Sequence, residues 1–452
     1  WLAAALLVIA NTAVFAQDTT PAQGQQAGGE TDDADKRIES DDKTTDRRLK
    51  AKAEEAQKLR IKRQTEFVST VPVEGEIFSY LAVPQGLAGD RGLVQGRLLI
   101  LPTLTVGATY SDNIEASEDE RDEDLSAFAT GTVRAQSLLA RHSYGFDATA
   151  TTSHSFQEDN DDYVDWAVGA DGRLDLTRRS SVTARATYTQ DTEDDSSAEA
   201  EGEDNDSQSI IGNVGYQYGR NRFGYLAGLG VRRQDFSGPG SADRDNTTFS
   251  INQRVSLQRN DRLTLFVTPQ YSYTAFDVEV ADDGDEPDTH AVTGLVGFDF
   301  AFRAPVLLTA SAGYTRLFFE DPDLNDVDSV VGSGTVGWLI DPLTTFDLTA
   351  NHTIEVTTLD DATATTTTSL DLNASRQIGL NTSISGQLGA TYIDFQDIDR
   401  SDIDLRAGTG LTYRLTSNLF LGLAHQYTRR LSEQDGAEFY ENQTVVGLTL
   451  LY

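Results

Sequence analysis

The residue types that perform chemistry in proteins are sparse or scattered in this sequence. Its five histidines stand far apart, at positions 142, 154, 290, 352 and 425, and it has no cysteine. A disulfide, a thiolate nucleophile and a zinc–thiolate site are therefore excluded. Gly332 to Gly337 satisfies the G-x-G-x-x-G pattern of dinucleotide-binding turns, but no helical pattern follows it. Close packing within a strand explains these glycines better, and we expect no catalytic residue and no bound cofactor.

Acidic residues are the most abundant candidates for metal binding. The chain has 72 Asp and Glu against 36 Lys and Arg, a formal net charge of −36. The densest cluster, residues 158–162 (EDNDD), could offer carboxylate oxygens to Ca²⁺ or Mg²⁺, yet it lacks the spacing and turn glycine of an EF-hand loop. We therefore interpret the acidic loops as solvated surface loops and expect no metal site. The same acidity argues against nucleic-acid partners, because phosphate contacts need clustered Lys and Arg.

Charged residues also recur on one face of regularly alternating segments. In residues 345–357, Ile354 and Val356 belong to an apolar face, while Asp347 and Glu355 belong to a polar one. A period of two is that of a β-strand with two unlike faces. About eighteen segments of this kind, each of about 12 to 14 residues, follow one another from residue 97 to the end of the sequence.

The links between these segments are alternately short and long. Residues 177–180 (TRRS) form a short link, while the long link 191–206 has nine acids and no basic residue. Short turns at one rim and long polar loops at the other are typical of outer-membrane barrels. A soluble all-β array is the alternative, but these strands exceed the ~9–11 residues that cross a bilayer. The sequence predicts an all-β fold, a closed antiparallel transmembrane β-barrel of about 18 strands with both ends at the periplasmic rim.

The region before the barrel divides into three parts. Residues 1–16 form a short apolar run ending in small residues, which predicts a signal peptide cleaved before Gln17. The absence of Met, even at position 1, indicates that the biological start lies upstream. Residues 17–70 are polar, and we interpret them as a periplasmic tether, disordered or partly helical, with contact to a periplasmic partner as the alternative. Residues 71–96 are predicted to be an irregular lead-in, and residues 97–452 to be the barrel.

The charged faces of the strands should point into the barrel. Arg or Lys facing lipid at the bilayer midplane costs about 2–4 kcal/mol, whereas a lumen is hydrated. We therefore predict that the following residues line the lumen: Asp165, Asp171, Arg173, Asp175, Arg185, Arg254, Asp347, Glu355, Asp371, Asp402, Asp404 and Arg406. Walls of mixed charge would select solutes by charge and size, and a hydrated lining without a specific task is the alternative.

The segment from Gln95 to Asn113 (QGRLLILPTLTVGATYSDN) carries a family resemblance. It resembles the opening of the putative β-barrel porin 2 family of proteobacterial outer-membrane proteins, with Pro102 in the first strand and Tyr110-Ser111-Asp112-Asn113 at its end. The resemblance extends over the barrel region in length and strand rhythm. It implies a barrel often linked to exopolysaccharide export, working beside a periplasmic polysaccharide-export protein, and it supplies no catalytic residues.

Two functions remain open on the sequence. The first is a porin-like channel of the Gram-negative outer membrane, most specifically a passage for secreted or capsular polysaccharide. The second is a non-conducting structural or surface-binding barrel whose acidic extracellular loops hold a partner, a cation or a polymer. In both cases the expected partners include outer-membrane lipid, lipopolysaccharide and the barrel-assembly machinery, which would recognise the C-terminal strand ending at Tyr452.

Overall fold

The computed structural model describes most of the predicted barrel and seven residues before it. The described residues are 81, 83, 92–118, 121–139, 141–157, 162–193, 206–238, 244–277, 288–302, 305–322, 324–357, 359, 362–434 and 436–452. The expected signal peptide and tether, residues 1–70, therefore lie outside the described residues. In the described part, no helix is long and apolar enough to span a membrane.

Nineteen strands make up the described fold. Their bounds are β1 Leu93–Gln95, β2 Leu98–Ser111, β3 Asp124–Ser137, β4 Ser143–Ser155, β5 Tyr163–Asp175, β6 Ser180–Thr192, β7 Asp206–Arg220, β8 Phe223–Ser237, β9 Asn246–Asn260, β10 Leu263–Phe276, β11 Thr289–Ala301, β12 Val306–Phe319, β13 Val327–Asp341, β14 Thr344–Val356, β15 Ala364–Ile378, β16 Thr382–Phe395, β17 Arg400–Arg414, β18 Leu419–Ser432 and β19 Phe439–Leu451.

Strands β2 to β19 form a closed antiparallel barrel. Each pairs with the next along the chain, and β19 pairs with β2, from Gln443 opposite Ser111 to Leu451 opposite Thr103. The prediction of an eighteen-stranded barrel is confirmed. Closure leaves the barrel strands no free edge, so the wall satisfies its own backbone hydrogen bonds, which a β-structure needs in order to cross a bilayer.

The alternation in the sequence decides which side chains face outward. Large apolar residues such as Val296 and Val330 are 63% and 64% exposed, although each lies within a fully paired stretch of its strand. Their neighbours Leu295 and Val331 are each only 7% exposed. The exposed apolar residues therefore form the outer, lipid-facing surface, and the alternate residues face inward.

The strand β1 adds a nineteenth strand inside the lead-in that was expected to be irregular. Leu93 lies opposite Ile100 and Gln95 opposite Leu98, so β1 is antiparallel to β2. It pairs with the edge of β2 just beyond the end of β19, where the Tyr452 amide donates to the Pro102 carbonyl at 3.4 Å. The first residues of β2, 98–100, extend past the end of β19, and β1 pairs with the edge that would otherwise be exposed there. The sequence pattern did not reveal this short strand.

Candidate functional site

Ion pairs that reach across an intervening strand identify the inner face of the barrel. Arg254 Nη2 of β9 lies 2.7 Å from Asp299 Oδ2 of β11, with β10 between them. Arg185 Nη2 of β6 lies 3.3 Å from Asp147 Oδ2 of β4, with β5 between them. Side chains converge over a neighbouring strand on the concave side of a curved sheet and diverge on the convex side. The charged face in these strands is therefore the concave one.

Arg185 lies at the centre of a small charge cluster on this inner face. Besides Asp147, its guanidinium lies 3.7 Å from Asp171 Oδ1 on the adjacent strand β5. Gly169 makes room for it, since a Cβ at this position would come within 2.5 Å of Asp147 Oδ2. A glycine beneath a carboxylate lets the acid lie flat on the wall, within reach of an arginine two strands away.

Two further predicted residues form ion pairs on the strands near the barrel closure. Asp404 of β17 accepts from Arg430 of β18 at 2.7 and 2.9 Å. Asp402 is 1% exposed and accepts from Arg400 at 2.8 Å and from Ser432 at 2.5 Å. The bonds from Arg430 and Ser432 join β17 to β18 at the end of the barrel that carries the long loops, whereas the bond from Arg400 lies within β17.

The structure places the other predicted residues in smaller groups. Arg173 donates a hydrogen bond to Asp175 at 2.9 Å. Asp165 accepts one from the Thr192 amide at 2.8 Å. The guanidinium of Arg254 also lies 3.6 Å from the ring centroid of Phe266. Asp371 of β15 interacts electrostatically with Arg406 of β17. Asp347 lies opposite Gly337, on the face that alternates with Trp338. Six of the twelve predicted residues are thus brought together in three pairs, Asp171 with Arg185, Arg173 with Asp175 and Asp371 with Arg406, and the twelve do not form one cluster.

The tip of the β14–β15 hairpin folds into the barrel. By alternation, Ile354 and Ala364 should face lipid, yet they are 8% and 0% exposed. They pack in one apolar cluster with Leu295, Leu317 and Val331, which lie on the inner face of β11, β12 and β13. The outer face of the hairpin tip can contact the inner face of these strands only if the tip lies inside the barrel.

The strand pairing agrees with this inward fold. Strands β13 and β14 pair only as far as Gly332 opposite His352, while β13 remains paired to β12 as far as Val327. Strand β14 likewise remains paired to β15 as far as Val356. The last residues of β14 have therefore left β13 and carried β15 with them. The described residues Thr357 and Ala362 of the following link are also buried, at 4% and 8%.

The inward tip carries Glu355 into the interior of the barrel. Glu355 interacts electrostatically with Arg232 of β8, although five strands of the wall, β9 to β13, separate β8 from β14. An interaction between residues so far apart along the wall has to run through the lumen. The tip therefore narrows the passage at the end of the barrel that carries the long loops.

Sequence reasoning missed several partners of the predicted residues. Asp147, Asp299 and Arg430 belong to the same alternating polar faces and could have been found by extending the pattern to every strand. The interaction of Arg232 with Glu355 had no such signal in the sequence, because it depends on how far the hairpin bends. The long acidic link, residues 191–206, is described only at its two ends, residues 191–193 and 206.

The acidic cluster at residues 158–162 is described only at Asp162. This carboxylate accepts from His154 Nδ1 and from the Ser155 amide, the latter at 2.8 Å. The hydrogen bond from His154 lowers the pKa of Asp162 below its usual value. Within the described ranges no three His, Asp or Glu side chains are grouped so that they could hold a metal ion.

These features define an outer-membrane β-barrel of the porin class, with a charged inner wall and an internal constriction. The family profile described as "Putative beta-barrel porin 2" matches residues 88–452. The chain belongs to this family, as the resemblance near Pro102 implied. A search of curated proteins found no match.

Solved barrels of similar shape share little sequence with this chain. OpdK of Pseudomonas aeruginosa is 10% identical, with a TM-score of 0.46 over 78% of this chain and 99% of that one. The ferric enterobactin receptor PfeA of Pseudomonas aeruginosa is 10% identical, with a TM-score of 0.45 over 78% and 80%. The FrpB iron transporter of Neisseria meningitidis is 8% identical, with a TM-score of 0.44 over 79% and 83%.

Proposed function

We propose that the protein is a channel across the Gram-negative outer membrane, and that its cargo is a secreted or capsular polysaccharide. The observation that carries the channel is the β14–β15 tip folded inside the barrel, where Ile354 and Ala364 pack on the inner face of β11, β12 and β13 and Glu355 interacts electrostatically with Arg232 of β8. A barrel that served only as a structural anchor would have no need to hold opposite charges across its interior. A channel uses such charges to select what passes.

The twelve residues predicted from the sequence would then line the aqueous passage. Several are engaged with a charge of opposite sign, as in Arg254 with Asp299 and Asp404 with Arg430. Paired groups of this kind offer hydrogen-bond donors and acceptors without a strong local net charge. Such a wall suits a hydroxyl-rich polymer better than a small ion of either sign, and this supports the polysaccharide assignment that the family resemblance suggested.

The proposal also includes a cleaved signal peptide, recognition by the assembly machinery and a periplasmic partner. Residues 1–16 would be removed on export, Tyr452 would contact the assembly machinery, and a periplasmic polysaccharide-export protein would deliver the cargo. The mass of the protein purified from outer membranes tests the first point. A chain that begins at Gln17 is the expected result, and retention of residues 1–16 would contradict it.

The polysaccharide assignment can be tested by current block. The purified full chain is placed in a planar bilayer, and neutral oligosaccharides, uronate oligosaccharides and polyethylene glycol of matched size are added in turn. We expect discrete blocks by at least one class of oligosaccharide at roughly tenfold lower concentration than by polyethylene glycol, since only sugars can use the paired donors and acceptors. Equal block by all three would leave a channel without a preference for sugars and would contradict the assignment.

A further inference from the structure

The short turns on one side of the barrel are rich in arginine. Three successive turns join β5 to β6, β7 to β8 and β9 to β10, and they lie side by side because these strands pair in chain order. Residues 176–179, 220–223 and 259–262 contain six arginines and one acid, Asp261. The name basic arc is used below for these arginines: Arg178, Arg179, Arg220, Arg222, Arg259 and Arg262. The basic arc is a positive patch on a chain whose formal net charge is −36.

Backbone hydrogen bonds tie these turns to the wall. The Gly219 amide of β7 donates to the Arg179 carbonyl at 2.8 Å, and the Gln258 amide of β9 donates to the Arg222 carbonyl at 2.7 Å. Each of these bonds continues the pairing of a strand into the turn beside it. The spacing of the arginines therefore follows the spacing of the strands, about 4.8 Å from one strand to the next.

The guanidiniums of the basic arc are open to a ligand. All six residues are exposed, and within the described ranges none of their guanidiniums has a hydrogen bond or an ion pair. Other arginines of this rim are engaged, since Arg414 donates to Asn381 Oδ1 at 2.8 Å and Arg376 interacts electrostatically with Asp341. Like charges repel one another, so six unpaired arginines on adjacent turns point to an anion from outside the chain.

Two arginines of the basic arc face the membrane. Arg220 lies opposite Phe223, and Phe223 lies opposite Leu257, in the outer rows of β7, β8 and β9. Arg259 follows Leu257 by two residues, so it lies on the same face and closer to the rim. The exposed ring of Phe223 therefore lies between two outward-facing arginines. Because aromatic residues mark the membrane interface of such barrels, these arginines lie at the level of the lipid headgroups.

The choice of basic residue indicates the kind of anion. Residues 97–452 contain arginine and no lysine. A guanidinium donates two parallel hydrogen bonds to a phosphate and is weakly hydrated, whereas an ammonium acts as a strongly hydrated point charge. A row of arginines at headgroup level therefore suits the phosphate of a lipid.

We propose that the basic arc binds an anionic phospholipid of the periplasmic leaflet, such as phosphatidylglycerol. Arg220 and Arg259 hold its phosphate between them, and its glycerol and first methylene groups lie on Phe223. The short turns of outer-membrane barrels are periplasmic, where the leaflet consists of phospholipid. An acidic protein or a soluble polymer would approach from water and would gain nothing from an aromatic ring that faces lipid. The proposal does not depend on whether the barrel conducts.

Native mass spectrometry of the purified full chain in a neutral detergent tests the proposal. Phosphatidylglycerol and phosphatidylcholine with the same acyl chains are added as an equimolar mixture, and the two lipid adducts are compared. Both lipids carry a phosphate, but only phosphatidylglycerol is a net anion. We expect wild type to retain roughly tenfold more phosphatidylglycerol than phosphatidylcholine, since each arginine at a membrane surface favours an anionic lipid.

A matched pair of double variants locates the site. Arg220→Gln with Arg259→Gln removes the two outward-facing arginines, and the ratio of adducts should fall at least about fivefold. Arg97→Gln with Arg376→Gln is the control, because both residues are exposed at the same rim outside the basic arc and the change in net charge is identical. The control should keep the wild-type ratio. Circular dichroism verifies folding, and the two single variants of the arc, each with a smaller fall, serve if the double variant does not fold.

Three results would overturn the proposal, each for a different reason. Equal adducts of the two lipids on wild type would show that the arc does not select an anionic headgroup. An equal fall in the control would assign the preference to the charge of the whole rim and not to Arg220 and Arg259. Binding of glycerol 3-phosphate or a uronate oligosaccharide at the same concentration as the lipid would identify a soluble anion as the ligand, in place of a phospholipid.

Discussion

Arg232 and Glu355 interact across the interior of the barrel, from β8 to the inward-folded tip of β14, with five strands of the wall between them. Their charges are opposite, so an ion that passes through this part of the lumen meets both signs. The contact depends on the apolar packing of Ile354 against Leu295, Leu317 and Val331. A small apolar cluster on the wall therefore holds the tip that carries this charge inside the barrel.

Neutralising Arg232 and neutralising Glu355 should shift the ion selectivity of the channel in opposite directions. We expect Arg232→Gln to raise the permeability ratio of cation to anion, and Glu355→Gln to lower it, each by at least about twofold. Reversal potentials in a salt gradient measure both ratios. Arg316→Gln is the matched control, because Arg316 pairs with Asp326 near the long loops and is half exposed. Shifts of the same sign in both variants would contradict a shared constriction.

The orientation of the strand β17 can be tested by thiol labelling. Asp404 and Arg406 lie on the face that alternates with the exposed Ile403 and Leu405. We expect Asp404→Cys and Arg406→Cys to react with a water-soluble, membrane-impermeant maleimide, and Leu405→Cys to react only with a lipid-soluble one. The native chain gives no background, since it has no cysteine. If only lipid-soluble reagents reached positions 404 and 406, the register assigned to this strand would be wrong.

A charge on the outer face should cost stability. Val296 is 63% exposed near the middle of β11, so Val296→Arg would place a guanidinium in lipid. The expected loss is about 2–4 kcal/mol in the free energy of unfolding from liposomes. Asn252→Arg, on the inner face of β9, is the control and should lose much less. Equal losses at the two sites would show that the faces have been assigned wrongly.

The link after β10 should contribute stability that disappears in acid. Arg233 donates to both carboxylate oxygens of Asp277, at 2.6 and 2.5 Å, and these bonds lower the pKa of Asp277. A lowered folded pKa gives stability that is present above the usual Asp value of about 3.9 and is lost as the pH falls through the folded pKa.

Unfolding of wild type and Asp277→Asn at several pH values measures this contribution. Wild type should be the more stable of the two at pH 6, and the difference should vanish in stronger acid. Arg233→Gln should reproduce the same pattern, because it removes the same hydrogen bonds. A difference that stays constant from pH 6 to pH 2 would assign the effect to packing and not to the charge pair.

The regular part of the fold follows from sequence pattern alone. The alternation of apolar and polar residues, as at Asp404 and Leu405, determines the number of strands and the side to which each residue points, because the period of a strand is two. The alternation of short and long links then places both ends of the barrel at one rim. Local periodicity is enough for these features, since each depends on neighbouring residues only.

The contents of the lumen could not be predicted in this way. Ile354 lies on the outer face of its hairpin, as the pattern predicts. The tip of that hairpin lies inside the barrel wall, so Ile354 is buried against the wall and does not face lipid. Nothing in the spacing of residues 345–357 encodes that bend. The packing of Leu81 against Gly422 and Gly447 is equally hidden, because Leu81 is more than 300 positions from these glycines in the sequence. Each of the two glycines also looks ordinary in a strand.

Single-channel recording tests the central claim most directly, namely that this barrel encloses a passage narrowed by the β14–β15 tip. The full chain and an Ile354→Asp variant are compared in planar bilayers, with Val330→Ala as an outer-face control and circular dichroism as proof of folding. We predict discrete current steps for wild type, several-fold larger steps for Ile354→Asp, in which a buried charge expels the tip, and wild-type steps for the control. Folded protein that carries no current in either wild type or Ile354→Asp would contradict the account.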